Sequence, residues 1–169
     1  MTQDSRKKNI ILIGMPGSGK TTIGKLLAEK LNRVFMDSDQ LIIQKTGKTP
    51  RQIVEFEGRA VFLDAQDSVI LEIECDDFVL ATGGGIVHSE LAMNRLKSLG
   101  CIIYLNASYK IIEERMDKTR KLVRTNGGLQ DLYNERAPLY LKYADKILDC
   151  DNIEPQLLCE KIIVLMNSV

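Results

Sequence analysis

The run Gly14-Met15-Pro16-Gly17-Ser18-Gly19-Lys20-Thr21-Thr22 fits the pattern G-x-x-x-x-G-K-[ST], and its flanks narrow the choice of fold. Ile10-Ile11-Leu12-Ile13 precedes it, a β-branched run that reads as a buried strand. Ile23, Leu26, Leu27 and Leu31 follow at helical spacing. Strand, glycine loop and helix in this order aim backbone N–H groups and a helix N-terminus at a phosphate anion. Gly14, Gly17, Ser18, Gly19 and Thr22 are expected to build the cradle. Lys20 is expected to reach the β- and γ-phosphates, and the Thr21 hydroxyl to ligate Mg²⁺. The expected ligand is a nucleoside triphosphate.

Further short apolar runs recur at 34–36, 78–81, 101–105 and 146–148, separated by segments of helical periodicity. Strands alternating with helices predict an α/β chain with a parallel sheet covered on both faces. Thr49 with Gln52 three residues on, and Pro50 between them, is a capping-box start for a brief helix running towards Glu57-Gly58. A longer helix is expected from Arg59 to Glu74, with Val61, Ala65, Val69 and Ile73 on one face. Gly47 and Gly100 suit helix C-termini. The last helix is expected from near Ile153, carrying Leu157, Leu158, Ile162 and Leu165 inward.

A chain of 169 residues without repeat or linker fits one domain, here 9–169, after a flexible tail at 1–8. Its 23 basic and 23 acidic residues cancel, which disfavours nucleic acid as a partner. No apolar stretch approaches the roughly 20 residues needed to cross a bilayer, and residues 1–8 lack a signal peptide's apolar segment. The four cysteines are scattered, with His88 the one histidine, so free thiols and a cytoplasmic location are expected. A monomer is expected. The charged, glycine-containing stretch at about 117–130 reads either as a surface loop or as a mobile lid closing over phosphates. Arg115, Arg120 and Arg124 favour the lid, because a transferring phosphoryl group needs positive charge around it.

Two more clusters bear on chemistry. Asp37-Ser38-Asp39 follows the second apolar run, at the end where open α/β sheets bind ligands. If the strand continues, side chains two apart share a face, and Asp37 and Asp39 converge on one site. One would hold Mg²⁺ while the other accepts a proton from an attacking hydroxyl. They read equally well as N-caps of the next helix. Gly83-Gly84-Gly85 follows the third run, and adjacent glycines carry an entropic cost that needs a reason. Close approach of backbone to a ligand, a hinge and an ordinary loop are the three readings.

Taken together these motifs resemble the shikimate kinase family, small P-loop kinases of nucleoside-monophosphate-kinase type with a five-stranded parallel sheet and a mobile lid. The resemblance runs from about Asn9 to Met166. It rests on GMPGSGKTT, Phe35-Met36-Asp37-Ser38-Asp39, Glu57-Gly58 followed by Phe62, the triple glycine, and Asn134-Glu135-Arg136-Ala137-Pro138-Leu139-Tyr140. It implies transfer of the γ-phosphoryl of ATP to shikimate, giving shikimate 3-phosphate, a step of aromatic amino-acid biosynthesis. Residue by residue it implies Mg²⁺ ligation by Thr21 and Asp37, and substrate binding with base catalysis by Asp39. Gly83, Gly84 and Gly85 match the substrate loop, and Arg136 the residue gripping the substrate carboxylate. Arg120 matches the lid arginine on the phosphates; Arg115 and Pro155 fall where the adenine ring is sandwiched.

The match fails in two places, one of them the run Arg120-Lys121-Leu122-Val123, which lacks the proline that usually follows the family's lid arginine. The family pattern E-G-x-x-x-F-R-x-x-E has Leu63 for its arginine and Gln66 for its closing glutamate. A charge-assisted hydrogen bond contributes about 1.5–3 kcal/mol, enough to change substrate preference. Either Arg59, one helical turn before Leu63, supplies a displaced guanidinium, or the acceptor is another small hydroxy compound such as gluconate, homoserine or threonine. Arg59 also reads as a plain solvated residue. A catalytically silent module is disfavoured by the intact Lys20, Thr21, Asp37 and Asp39. A nucleoside-monophosphate kinase is disfavoured by the D-S-D and the triple glycine.

Overall fold

The computed structural model describes residues 9–116 and 128–167. Among these are β1 (Ile10–Ile13), α1 (Lys20–Leu31), β2 (Val34–Asp37), α2 (Ser38–Thr46), α3 (Pro50–Phe56), α4 (Arg59–Leu71) and β3 (Phe78–Ala81). A 3₁₀ turn (Ile86–His88), α5 (Glu90–Leu99), β4 (Cys101–Asn106), α6 (Tyr109–Arg115), α7 (Leu129–Tyr143), β5 (Lys146–Asp149) and α8 (Pro155–Asn167) complete them. All five expected strands form, in one parallel sheet of order β2-β3-β1-β4-β5. None of the described helices is long and apolar enough to cross a membrane.

The central strand explains the two-layered cover. Every residue of β1 is buried, and alternation sends its side chains to opposite faces. Ile10 and Leu12 pack with Ile23 and Leu27 of α1 and Leu158 and Ile162 of α8. Ile11 and Ile13 pack with Met93, Leu96 and Leu99 of α5 and Leu132 and Tyr140 of α7. Full burial of each such aliphatic side chain contributes about 1.5–3 kcal/mol. The helix after β1 thus lies on one face and the helix after β3 on the other. A crevice opens between the carboxyl ends of these neighbouring strands, where open sheets bind ligands.

Two glycines are explained by packing. A Cβ on Gly24 would stand 2.7 Å from the Phe35 ring, so the glycine lets α1 seat against β2. A Cβ on Gly100 would stand 2.5 Å from the Asn9 carbonyl oxygen. That close approach matters because Asn9 ties three elements together. Its Nδ2 donates to the Leu99 carbonyl at 2.9 Å, and its Oδ1 accepts from the Phe78 N–H at 3.2 Å.

Several sequence expectations shift by part of a turn. The α4 helix stops at Leu71 rather than Glu74, and its buried face carries Gln66, Val69 and Ile70. Val61, expected inward, is 42% exposed. The polar Gln66 sits in the inward stripe, so counting apolar residues alone rotates the face. At the C-terminus α8 starts at Pro155, whose fixed φ suits a first helical position, and Leu157 faces outward while Leu158 and Ile162 are buried. Gly47 ends α2 with a left-handed φ of 72°, as expected, whereas Gly100 ends α5 in extended backbone. The α7 helix begins at Leu129, so the expected lid segment ends no later than Gly128; its residues 117–127 lie outside the described residues.

Candidate active site

The loop after β1 is shaped by backbone that L side chains rarely adopt. Gly14, Gly17 and Gly19 have φ of 147°, 85° and 94°. A Cβ on Gly14 would also stand 2.8 Å from the Leu105 carbonyl oxygen, so this residue is held beneath the loop. Gly19 is the N-cap of α1, and the buried Ser18 N–H donates to the Met15 carbonyl at 3.1 Å. Lys20 is buried, and its ammonium donates to the carbonyls of Gly14 and Met15 at 2.7 Å each. A glycine loop closed on a lysine and running into a helix N-terminus is the arrangement that receives an anionic phosphate chain.

Beside this loop lies a cavity of about 740 Å³ lined by Gly17, Lys20, Thr21, Thr22, Asp37, Asp39, Gly83–Gly85, Arg115 and Arg136, among others. A second, of about 630 Å³, shares Gly17, Gly19, Thr22 and Arg115 with it and adds Ser18, Asn152, Ile153, Glu154 and Pro155. Arg115 and Pro155 therefore meet at one space adjoining the phosphate loop, as the adenine assignment requires. Arg120 and Arg124 lie outside the described residues.

Of the two readings of the D-S-D run, the N-cap is realised, by Asp37. Asp37 closes β2 and caps α2: its Oδ1 accepts from the N–H groups of Asp39 and Gln40 at 3.0 and 3.4 Å. Its Oδ2 accepts from the Thr21 hydroxyl at 3.0 Å. The expectation that Asp39 shares a strand with Asp37 is not met. The strand ends at Asp37 and Asp39 stands in the first turn of α2, because the cap turns the chain there. Both carboxylates nevertheless line the same cavity.

The fit to a magnesium nucleotide follows from these donors. No group of three or more His, Cys, Asp or Glu side chains among the described residues forms a metal cage. Mg²⁺ characteristically needs none, being held by one or two carboxylates together with substrate phosphates and water. The adjoining oxygens of Thr21 and Asp37, at the open face of the phosphate loop, match that pattern.

The first two residues of the triple glycine owe their identity to neighbouring side chains. None of Gly83, Gly84 and Gly85 has positive φ. A Cβ on Gly83 would stand 2.8 Å from Asp39 Oδ1, and one on Gly84 would stand 2.7 Å from Pro16 Cδ and 3.2 Å from Arg136 Nη1. Three sources converge on this backbone: the phosphate loop, α2 and α7. Ser38 Oγ accepts from the Gly83 N–H at 2.8 Å, and the Tyr140 hydroxyl donates to the Gly84 carbonyl at 2.6 Å.

Arg136 and Tyr140 are one turn apart on the buried face of α7. Arg136 is only 8% exposed, and its Nε is buried without a hydrogen-bond partner among the described residues, while the side chain lines the cavity. Burial drives the Tyr140 hydroxyl far above its ordinary pKa, with Arg136 opposing, so it stays a donor. The Tyr104 ring stacks on it with centroids 5.1 Å apart. His88 lies beside this group, its Nε2 3.2 Å from Glu135 Oε1. Burial and then Arg136 hold its pKa below the ordinary value, with Glu135 pulling the other way.

Six lining residues are not among the expected site residues: Pro16, Thr49, Pro50, Arg51, Phe62 and Thr82. Apart from Pro16, which lies in the phosphate loop itself, each is brought in by tertiary packing that spacing does not encode. Arg59 is exposed and is absent from the cavity lining, so the proposed displaced guanidinium is not found there. Leu63 is half-buried and also off the lining; Gln66 is buried with Nε2 unpartnered.

The family model for shikimate kinase matches residues 16–167. The chain belongs to the shikimate kinase family. Shikimate kinase 1 of Escherichia fergusonii is 37% identical over 171 residues, covering 97% of this chain and 99% of that protein. The shikimate kinase from Acinetobacter baumannii, solved in complex with shikimate, superposes with a TM-score of 0.86 at 36% identity, covering 96% of this chain and 95% of that one. The Aquifex aeolicus shikimate kinase gives 0.82 at 29% identity, with 94% and 96% covered. Like other shikimate kinases, this family member is an ATP- and Mg²⁺-dependent phosphotransferase with an alcohol acceptor.

Proposed function

We propose that this shikimate kinase family member phosphorylates shikimate itself, giving shikimate 3-phosphate, and that the residues assembled around the cavity carry the reaction. The observation behind this reading is the meeting of Asp39, Gly83–Gly85 and Arg136 at the mouth of the phosphate loop. A carboxylate, a glycine backbone and a buried guanidinium there suit a small acid bearing hydroxyl groups. ATP supplies the γ-phosphoryl group, and Mg²⁺ neutralises charge on its phosphates. Asp39 orients the acceptor hydroxyl and takes its proton as the oxygen attacks phosphorus. Lys20 and the loop N–H groups stabilise the negative charge on the transferring group. Thr21 and Asp37 hold the metal. Arg136 binds the acceptor carboxylate, where its fork geometry adds orientation to charge. Arg115 and Pro155 flank the adenine, and Arg120 is assigned to the phosphates on the resemblance.

The same reading includes a monomer acting in the cytoplasm, with neither nucleic acid nor membrane as partner; the balanced charge supports the absence of nucleic acid. Leu63 and Gln66 favour one competing reading, in which a different hydroxy acid is the acceptor. A coupled ADP-release assay over shikimate, gluconate, homoserine, threonine and common nucleotides separates the two. Turnover is expected with shikimate above all others. Silence with shikimate and turnover with another acceptor would replace the proposal.

A further inference from the structure

The cavity lining carries a further guanidinium besides those of Arg115 and Arg136. Arg51 is the second residue of α3, and its helix start is fixed on both sides. The Gln52 N–H donates to Thr49 Oγ1 at 3.2 Å, and the Thr49 N–H donates to Gln52 Oε1 at 2.9 Å. Pro50 locks the intervening φ. This clamped turn presents Thr49, Pro50 and Arg51 together to the cavity that also holds Asp39 and Arg136.

Among the described residues, nothing strong holds the Arg51 head elsewhere. Its ion pair with Glu55 is 3.8 Å long and joins side chains 57% and 58% exposed. Exposed pairs at this spacing are weak, and a charge-assisted bond to a ligand outweighs them. Of the charged groups lining the cavity, Lys20 belongs to the phosphate loop, Asp37 to Thr21 and Arg115 to the adenine side, which leaves Arg51, Arg136 and Asp39 for the acceptor. Two cations and one anion suit an acceptor with a carboxylate at one end and a hydroxyl at the other. We infer that Arg51 is a second binding group for the acceptor carboxylate, acting with Arg136. The inference rests on the proposed phosphorylation of a hydroxy acid.

The test is steady-state kinetics on the full chain, varying shikimate and ATP separately. Arg51→Gln is expected to raise the shikimate KM roughly ten- to a hundred-fold, with kcat and the ATP KM nearly unchanged. Arg51→Lys should fall between the two. The penalty for replacing shikimate by its methyl ester, large in the unaltered enzyme, should shrink in Arg51→Gln. Arg59→Gln should leave all these values in place. An unchanged shikimate KM in Arg51→Gln, or a raised ATP KM instead, overturns the assignment of Arg51 alone. No turnover of shikimate by the unaltered enzyme overturns the underlying functional reading, and the inference with it.

Discussion

At the phosphate end of the cavity, binding groups are made by chain conformation; at the acceptor end they are made by convergence. Gly14, Gly17 and Gly19 all hold positive φ, and the groups they aim are backbone N–H groups within one continuous loop. Gly83, Gly84 and Gly85 hold none; Gly83 and Gly84 are glycine because Asp39 and Pro16 crowd against them, while a Cβ on Gly85 would meet Arg136 only at ordinary contact distance. The first arrangement is local and fits any triphosphate. The second draws on α2, α3 and α7, and any one of them can change the acceptor. A family can therefore keep its donor site untouched while Leu63 and Gln66 alter the surroundings of the acceptor.

The comparison predicts separable failures. Asp39→Asn, which keeps shape and removes the base, should lower kcat by about 10²–10⁴-fold and leave ATP binding intact. A comparable loss of ATP affinity would show that the two ends are not separable. Lys20→Met, of similar reach without charge, should lower kcat by about 10²–10³-fold and leave shikimate affinity, measured by calorimetry, unaffected.

A smaller effect tests the packing account of the glycines. Gly84→Ala should destabilise the protein by about 1–3 kcal/mol, lowering the thermal midpoint by about 2–10 °C, because its Cβ meets the stiff Pro16 ring. Gly85→Ala places a Cβ at an ordinary 3.5 Å from Arg136 Nη2 and should leave the midpoint nearly unchanged. Equal losses for both would point to backbone conformation instead.

The smallest effect is in pH. His88 is held neutral in the folded chain below its ordinary value of 6.5, while the unfolded chain protonates there. The unfolded state then binds more protons, so stability falls as pH drops through 6.5 towards the lower folded value. His88→Gln should flatten the melting-temperature curve in that window. Parallel curves for the two proteins would contradict it.

How far the sequence shows this follows from the same contrast. The phosphate loop is legible because conformation and composition coincide in one run, and the strands because each is a short apolar stretch bounded by polar residues. Asp37 and Asp39 were legible as site residues, but the reason was not strand alternation. The Asp37 cap starts α2 at Ser38, and that turn carries Asp39 into the cavity. Arg51 was not legible. A charged residue early in a surface helix looks solvated until α3 is seen against the crevice. Val61 and Gln66 misled for a related reason, since a buried polar residue in α4 displaces the apolar stripe from the true inward face.

The central claim is that the γ-phosphoryl group lands on a shikimate hydroxyl despite Leu63 and Gln66. Phosphorus NMR of the full chain with ATP, Mg²⁺ and shikimate tests it most directly. The expected result is a single new phosphomonoester resonance growing in step with ADP. Inorganic phosphate alone, or unchanged ATP, would contradict it.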